Sequence, residues 1–439
     1  MNEQWGLLGP ETLAAPRRTR GLGLRATVRK FNDLAVPGLG NVWFCKQIFL
    51  ALLGVAVAEN ARACGASVRN IEVTNSVEAL ACWLGYKAKD WGGDQRLRGR
   101  LKLPEDGPIR FAEARKRSFY VTQPMRMSTV QTLPALGLVE AGNSRFNSFR
   151  CTREGRELLD AAITGSSGRA DPAGIIWEHK KWAARNSVVR DLTMWVLRDG
   201  DAPGGSKLKN ALSPVEPLSP AAKTLLRHRF TAGSTMDAKR RRDALAWVGA
   251  LKRKNSFTWE HKPREITEEA HWHDLEAGAF FFALRDDAIA VLDAVESAVG
   301  SLAVRSLAPD TAAASLADEL AALEEAAERY LAVRHEDDEA RTFARECRAE
   351  PAKVVAALVK RDGQVLQLRG GSIVPGPAFR GTPGRSVPSE EADDIAEDVP
   401  QIATSLLPPH ISGRIYNLLL LRKDLEGSLI AFLEQGVSE

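Results

Sequence analysis

The chain has 439 residues, 44% of them hydrophobic and 26% charged, with a formal net charge of +4. Such a composition belongs to a folding globular class with room for roughly two to four domains, and excludes low-complexity and collagen-like chains. Cys45, Cys64, Cys82, Cys151 and Cys347 form no CxxC pair, which argues against a disulfide framework and against a cysteine zinc site.

The charge is unevenly distributed. Residues 1–170 hold 25 Lys plus Arg against 15 Asp plus Glu, whereas residues 301–400 hold 12 against 19. A basic front and an acidic back are either solvated faces or the mark of a front half that meets a polyanion.

Residues 1–40, with "APRRTRGLGLRATVRK", read as an irregular basic arm. The most apolar run starts at Val42, but Lys46 and Gln47 interrupt it and Glu59 to Arg62 close it. That leaves about a dozen uncharged residues, short of the ~20 that cross a bilayer, so a buried core helix is expected. Neither a membrane partner nor an export signal is expected, and the assignment is cytoplasmic. "NSVEALACWLGYK" reads as a further helix, with Asn75 or Ser76 as cap and Gly85 near its end. From Asp90 to Arg117 the text is basic and irregular. Arg96, Arg98, Arg100 and Lys102 alternate, as either a strand edge or a flexible basic loop.

The stretch 126–162, "RMSTVQTLPALGLVEAGNSRFNSFRCTREGRELLDAA", carries the strongest pattern. Ser128 and Thr129 suit a helix start, while Val130, Leu133, Leu136 and Leu138 supply an inward face. Gly137 suits a left-handed C-cap, and two short extended segments flank Gly142-Asn143. A second helix then resumes at "REGRELLDAA". Pro134 lies inside the first helix, where it removes a donor and costs ~3 kcal/mol in a regular interior, so that helix is expected to be short and kinked or to start later.

The same residues resemble the winged helix-turn-helix superfamily, particularly the bacterial MarR-like and PadR-like type. Ser128, Thr129, Val130, Leu133, Leu136, Gly137, Leu138, Val139 and Glu140 match the recognition helix and its "L..LGLVE" end, and Thr152, Gly155, Leu158 and Leu159 match the "T..G..LL" opening of the next helix. The resemblance covers about residues 100–162. It implies a helix near 127–137 in the major groove and a wing near 142–149 on the backbone or minor groove. The expected DNA-contacting set is Arg115, Lys116, Arg117, Arg126, Ser128, Thr129, Gln131, Thr132, Arg145, Asn147, Arg150 and Arg153, since arginine forks match phosphate oxygens. A wing that docks protein is the alternative.

Beyond the linker-like 164–174, helices are expected in "IIWEHKKWAARNSVVRDLTMWVLRDG", "SPAAKTLLRHRFTA" and "MDAKRRRDALAWVGALKRK". The last carries seven cations and reads as a second phosphate-contacting helix or a plain polar surface. Residues 267–300 and 310–349 read as two long Ala-rich helices in an antiparallel hairpin or bundle. "GQVLQLRGGSIVPG" reads as a short hairpin, residues about 375–400 as mobile, and 411–436 as one amphipathic helix or two short ones. The tryptophans Trp177, Trp182, Trp195, Trp247, Trp259 and Trp272 read as packing anchors.

Other chemistry is weak. His271 and His273 lie roughly 200° apart on a helix, awkward for one metal. Glu336 to Glu339 form a consecutive run, which suits a solvated helix join better than a nuclease site. No phosphate-loop or dinucleotide pattern occurs. No cofactor, metal or catalytic residue is therefore assigned.

The expected architecture is mainly α: an irregular arm over 1–40, a winged-helix DNA-binding domain over 41–165, a helical middle domain over 175–262 and a helical hairpin or bundle assembly domain over 263–439. The expected function is non-catalytic binding of double-stranded DNA, as the recognising or scaffold subunit of a larger bacterial complex of the mobile-element or anti-phage kind. Partner subunits or a second copy would join through the C-terminal helices. A winged-helix transcriptional regulator and a protein-docking scaffold stand beside it, with an unfamiliar enzyme further off.

Overall fold

The computed structural model describes residues 19–164, 186–251, 259–381, 387–388 and 406–435. In chain order the elements are β1 (Thr19–Arg20), α1 (Arg25–Ala35), α2 (Cys45–Ala63), α3 (Asn70–Ala88), α4 (Phe111–Ala114), α5 (Arg126–Thr129), α6 (Thr132–Ala135), β2 (Val139–Ala141), β3 (Phe149–Cys151) and α7 (Arg153–Thr164). There follow α8 (Ser187–Arg198), α9 (Ser206–Leu212), α10 (Pro220–Thr231), α11 (Met236–Ala250), α12 (Glu269–Ser301), α13 (Pro309–Ser315), α14 (Ala317–Ala332), α15 (Asp338–Glu346) and α16 (Pro351–Asp362). The last are β4 (Leu366–Arg369), β5 (Ser372–Pro375), β6 (Val387–Pro388), α17 (Gly413–Glu426) and α18 (Leu429–Gln435). The protein is mostly helical, and its strands pair two by two: β1 with β6 in parallel, β2 with β3 and β4 with β5 antiparallel.

The chain forms two compact units. One comprises Met1–Arg29 with Ala279–Asp393, the other Lys30–Gly278 with Asp394–Glu439. Neither is bounded at the linker-like 164–174, of which 165–174 lie outside the described residues, as do Trp177 and Trp182.

In the second unit the core is built around α2, whose residues from Cys45 to Ala58 are all buried on every side. A helix apolar all round belongs in an interior, and no helix among the described residues is long and apolar enough to cross a membrane. Gly54 lets α3 come close: a Cβ there would sit 2.3 Å from the Thr74 hydroxyl. The end of α2 is held by Gln47, whose Oε1 accepts from the Trp43 amide at 2.9 Å, while Asp424 of α17 accepts from the Cys45 amide at 2.7 Å. Trp247 and Trp259 pack their rings on Trp272, and Trp195 meets Phe111 edge to face, so these four anchor packing as expected.

Several expectations change. The arm reading fails over 25–35, where α1 buries Val28, Phe31 and Ala35 while Arg25 and Arg29 remain exposed. The alternating cations near 96–102 form no strand. Arg96 folds back onto Asp94 at 2.8 Å and onto the Val215 carbonyl, and Arg98 reaches the Gln123 carbonyl. In α11, Arg240 and Arg241 are buried, with Arg240 bonded to Asp274 and the Leu34 carbonyl and Arg241 to the Pro37 carbonyl. Those cations tie elements together. His271 is likewise buried, with Nε2 2.9 Å from the Ala35 carbonyl.

In the first unit, Arg20 is fully buried among three carboxylates, at 2.6 Å from Asp293, 2.6 Å from Glu296 and 2.9 Å from Asp362. The first long Ala-rich helix is present as α12, but the second is divided into α13, α14 and α15. Leu316 takes φ −126° and ψ 36° at the first break, and Arg334 takes φ +59° at the second. Asp337 then caps α15, accepting from the Ala340 amide, and Thr27 donates to Glu339 and Asp337, so the acidic run serves a helix start. The expected β4–β5 hairpin turns through Gly370 and Gly371 at φ +57° and +82°, values that suit glycine. The closing segment is two helices, separated at Gly427 with φ +80°.

Candidate anion-binding cleft at the hairpin

The pattern in 126–162 folds as two single helical turns, a hairpin and a helix. Pro134 has no amide to offer the Val130 carbonyl, and the regular helix is interrupted at Val130–Gln131. Gly137 adopts φ +65°, and the Leu138 amide returns to the Leu133 carbonyl at 2.9 Å, closing the turn as a left-handed cap. Thr152 caps α7, its hydroxyl accepting from the Gly155 amide and donating to the Gly137 carbonyl at 2.8 Å. At Gly155 a Cβ would stand 2.2 Å from the Leu138 carbonyl, so glycine admits α7 against the turn. Gly137, Thr152 and Gly155 thus each have a local structural job.

In the hairpin, Val139 pairs with Cys151, Glu140 with Arg150 and Ala141 with Phe149. Alternation turns Val139, Phe149 and Cys151 inward and leaves Glu140 and Arg150 exposed as directly opposed neighbours. The connecting loop is tied to α3. Asn70, fully buried, donates from Nδ2 to the Phe146 and Phe149 carbonyls at 3.1 and 2.9 Å, and Asn147 accepts from the Ile71 amide at 3.0 Å. Glu59 of α2 holds the outgoing strand by accepting from the Cys151 amide at 2.8 Å.

Between the last turn of α2, the start of α3 and the hairpin lies a cleft of about 780 Å³, lined by Arg62, Val68, Arg69, Glu140, Ala141, Gly142, Asn147, Ser148, Phe149 and Arg150. Three guanidinium groups line it against one carboxylate. Arg62 donates to the Val68 carbonyl at 3.2 Å, and Arg69 lies 3.2 Å from Glu72. Arg150 has no ion pair among the described residues. Burial lowers the Arg62 pKa; Glu59 raises it and Arg150 lowers it further. Partial burial would raise the Glu72 carboxyl, yet hydrogen bonds from Arg115 and Arg69 hold it down to about 2.

The expected contact residues are divided by the fold. Asn147 and Arg150 line the cleft, and Arg145 is exposed on the hairpin loop. Arg117 is exposed, Lys116 is 2.7 Å from Glu113, Arg153 is 2.9 Å from Glu157, and Arg115 is 2.6 Å from Glu72. The helix residues are turned inward, contrary to a major-groove role. Ser128, Thr129 and Thr132 are buried; Thr129 bonds the Arg126 carbonyl and Thr132 the Leu39 carbonyl. Gln131 accepts from Arg414 at 2.8 Å, and Arg126 is half-buried with its Nη1 enclosed. The reason is crowding: Gly40 and Gly38 bring the 36–43 loop onto these turns, with Cβ positions 2.3 Å from the Ser128 carbonyl and 2.4 Å from Ala135.

Arg62 and Arg69 escaped the sequence reading because they precede the motif on other elements. A faint signal existed for Arg62, which closes an expected helix; Arg69 gave none, because the next helix, expected to start at Asn75 or Ser76, begins earlier, at Asn70. Among the described residues no three His, Cys, Asp or Glu side chains are grouped to hold a metal ion. No known family model, curated protein or solved structure matches the chain.

Proposed function

We propose that the protein binds nucleic acid, duplex DNA in the first instance, through the hairpin and the arginines at its foot, without performing chemistry on it. The observation that carries this reading is the convergence of Arg62, Arg69 and Arg150 on one cleft beside a loop that carries the exposed Arg145. Guanidinium forks match phosphate oxygens, and phosphate contacts supply affinity that does not depend on sequence. The burial of Ser128, Thr129 and Thr132 argues against base reading by the preceding turns, so the binding is sequence-tolerant. In this reading the segment is a winged module that uses its wing in place of its helix.

The test is fluorescence anisotropy with a labelled duplex over a salt series. Binding should weaken steeply as salt rises, and Arg145→Gln should reduce the slope of log K against log salt by about 1. Absence of duplex binding at about 50 mM salt would overturn the reading.

A further inference from the structure

The cleft is more than a continuation of a flat cationic face. A backbone phosphate of a duplex can meet the arginines at the rim, and behind that rim the site is a concavity of about 780 Å³, within the ~300–1,000 Å³ range of small-ligand pockets. Its lining is mixed: Val68, Ala141 and Phe149 offer apolar wall, Asn147 and Ser148 offer polar groups, and the charges are Arg62, Arg69 and Arg150 against Glu140. The lining is thus net positive, although Glu72 beside Arg69 and Glu59 beside Arg62 offset part of that charge. A phosphodiester carries one negative charge, while a phosphomonoester carries close to two at neutral pH, with three acceptor oxygens. Arg62 and Arg150 face one cleft, and beside the larger effects of burial, which lowers the Arg62 pKa, and Glu59, which raises it, Arg150 lowers it further; a dianion between the two guanidinium groups would relieve that repulsion.

We infer that the cleft is a binding site for a phosphomonoester, either the phosphorylated end of a nucleic-acid strand or a free nucleotide, with Arg62 and Arg150 on the phosphate and Arg69 at the rim. The strand-end source rests on the nucleic-acid reading above; the free-nucleotide source does not. Arg69 shares its guanidinium with Glu72 and is largely exposed, so its contribution is smaller than those of Arg62 and Arg150.

Two measurements on the full chain separate the possibilities. In the first, anisotropy compares a duplex bearing 5′-phosphates with the same duplex bearing 5′-hydroxyls. The expected result is about tenfold tighter binding of the phosphorylated duplex. Arg62→Gln and Arg150→Gln should abolish that preference, whereas Arg145→Gln should weaken both duplexes alike and preserve it. In the second, calorimetry and thermal shift use adenosine monophosphate and inorganic phosphate as probes, with binding by adenosine monophosphate expected and lost in Arg150→Gln. Circular dichroism checks that each variant is folded, and Arg69→Gln, on an exposed side chain, provides a partial loss if the others are unstable.

Adenosine monophosphate binding that depends on Arg150, without any duplex binding, would keep the cleft and identify a free nucleotide as its occupant while removing the nucleic-acid reading. Equal binding of both duplexes, with no Arg150-dependent binding of adenosine monophosphate or phosphate, would overturn the cleft and leave the nucleic-acid reading standing. Failure of all probes would overturn both.

Discussion

Arg150, on the outgoing strand of the hairpin, acts on Arg62, on the last turn of α2. Burial lowers the Arg62 pKa first, Glu59 raises it, and Arg150 lowers it again. Two like charges held at one cleft destabilise the free protein, since each would be better solvated alone. In a Glu140→Gln background, which already lacks the charge opposite Arg150 on the partner strand, Arg150→Gln is therefore expected to raise the melting temperature of the unliganded protein at low salt, by an amount equivalent to roughly a few tenths of a kcal/mol given the exposure of both groups. Added salt should shrink the difference between variant and parent. Differential scanning fluorimetry at two ionic strengths reads it, and a lowered melting temperature for the variant would contradict the repulsion.

Asn70 is the hairpin's anchor. Its amide donates to two carbonyls of the 146–149 segment from a fully buried position. Asn70→Ala removes the Asn70 bond to the Phe149 carbonyl, a cost of about 1–3 kcal/mol for a buried group left without a partner, and leaves the Phe146 carbonyl with the Phe149 amide alone. Urea unfolding should register the loss, and hydrogen exchange should quicken in the hairpin amides before it does in α2.

In the other unit, Arg20 is buried against Asp293, Glu296 and Asp362. Arg20→Met leaves carboxylates enclosed without that cation and is expected to cost about 3–5 kcal/mol, the range for breaking a buried ion pair by removing one partner. Burial already raises the Asp362 pKa even with Arg20 pulling it down. Mild acid should therefore restore part of the stability of Arg20→Met, because protonation removes uncompensated charge. A variant equally destabilised at pH 5 and pH 7 in urea titrations would argue against this account.

Lys46 gives a pH signature of the opposite sense. It is buried at the start of α2, bonded to the Ala211 carbonyl, with its ammonium 5.0 Å from the Phe49 ring centre. Burial lowers its pKa to about 7, with Glu216 and Asp424 opposing. Between that value and the ordinary lysine range the unfolded chain holds a proton that the native chain lacks, so this group makes stability rise as pH increases from 7 toward 9. Below pH 7 its contribution is level. Lys46→Met should remove that slope, and the comparison of urea midpoints for parent and variant at pH 7 and pH 9 isolates it from other titrating groups.

Local signals in the sequence translated well where they act locally. Gly137 announced a left-handed cap that the fold uses, Gly370-Gly371 announced its turn, and the apolar run of α2 announced an interior helix; Thr152 and Gly155, read only as matches to a motif, prove to be a cap and a close approach. Pro134 announced the break in the turns before the hairpin. Where the reading went astray, polarity was taken for exposure. Ser128, Thr129, Thr132, Arg96, Arg98, Arg240 and Arg241 are all polar and all buried; Thr132 and the four arginines each bond a carbonyl or a carboxylate in a distant segment, while Thr129 bonds the nearby Arg126 carbonyl.

The sequence by itself determined a mostly helical chain, the hairpin after residue 138 and the helix beginning beside Thr152, since capping, turn chemistry and side-chain alternation depend on neighbours a few positions apart. The tertiary structure alone decided which cations meet. Arg62, Arg69 and Arg150 come from a helix, the residue that precedes the next helix and a strand, and their convergence follows from α3 gripping the hairpin through Asn70 and Asn147, a relation between distant segments that no local pattern encodes.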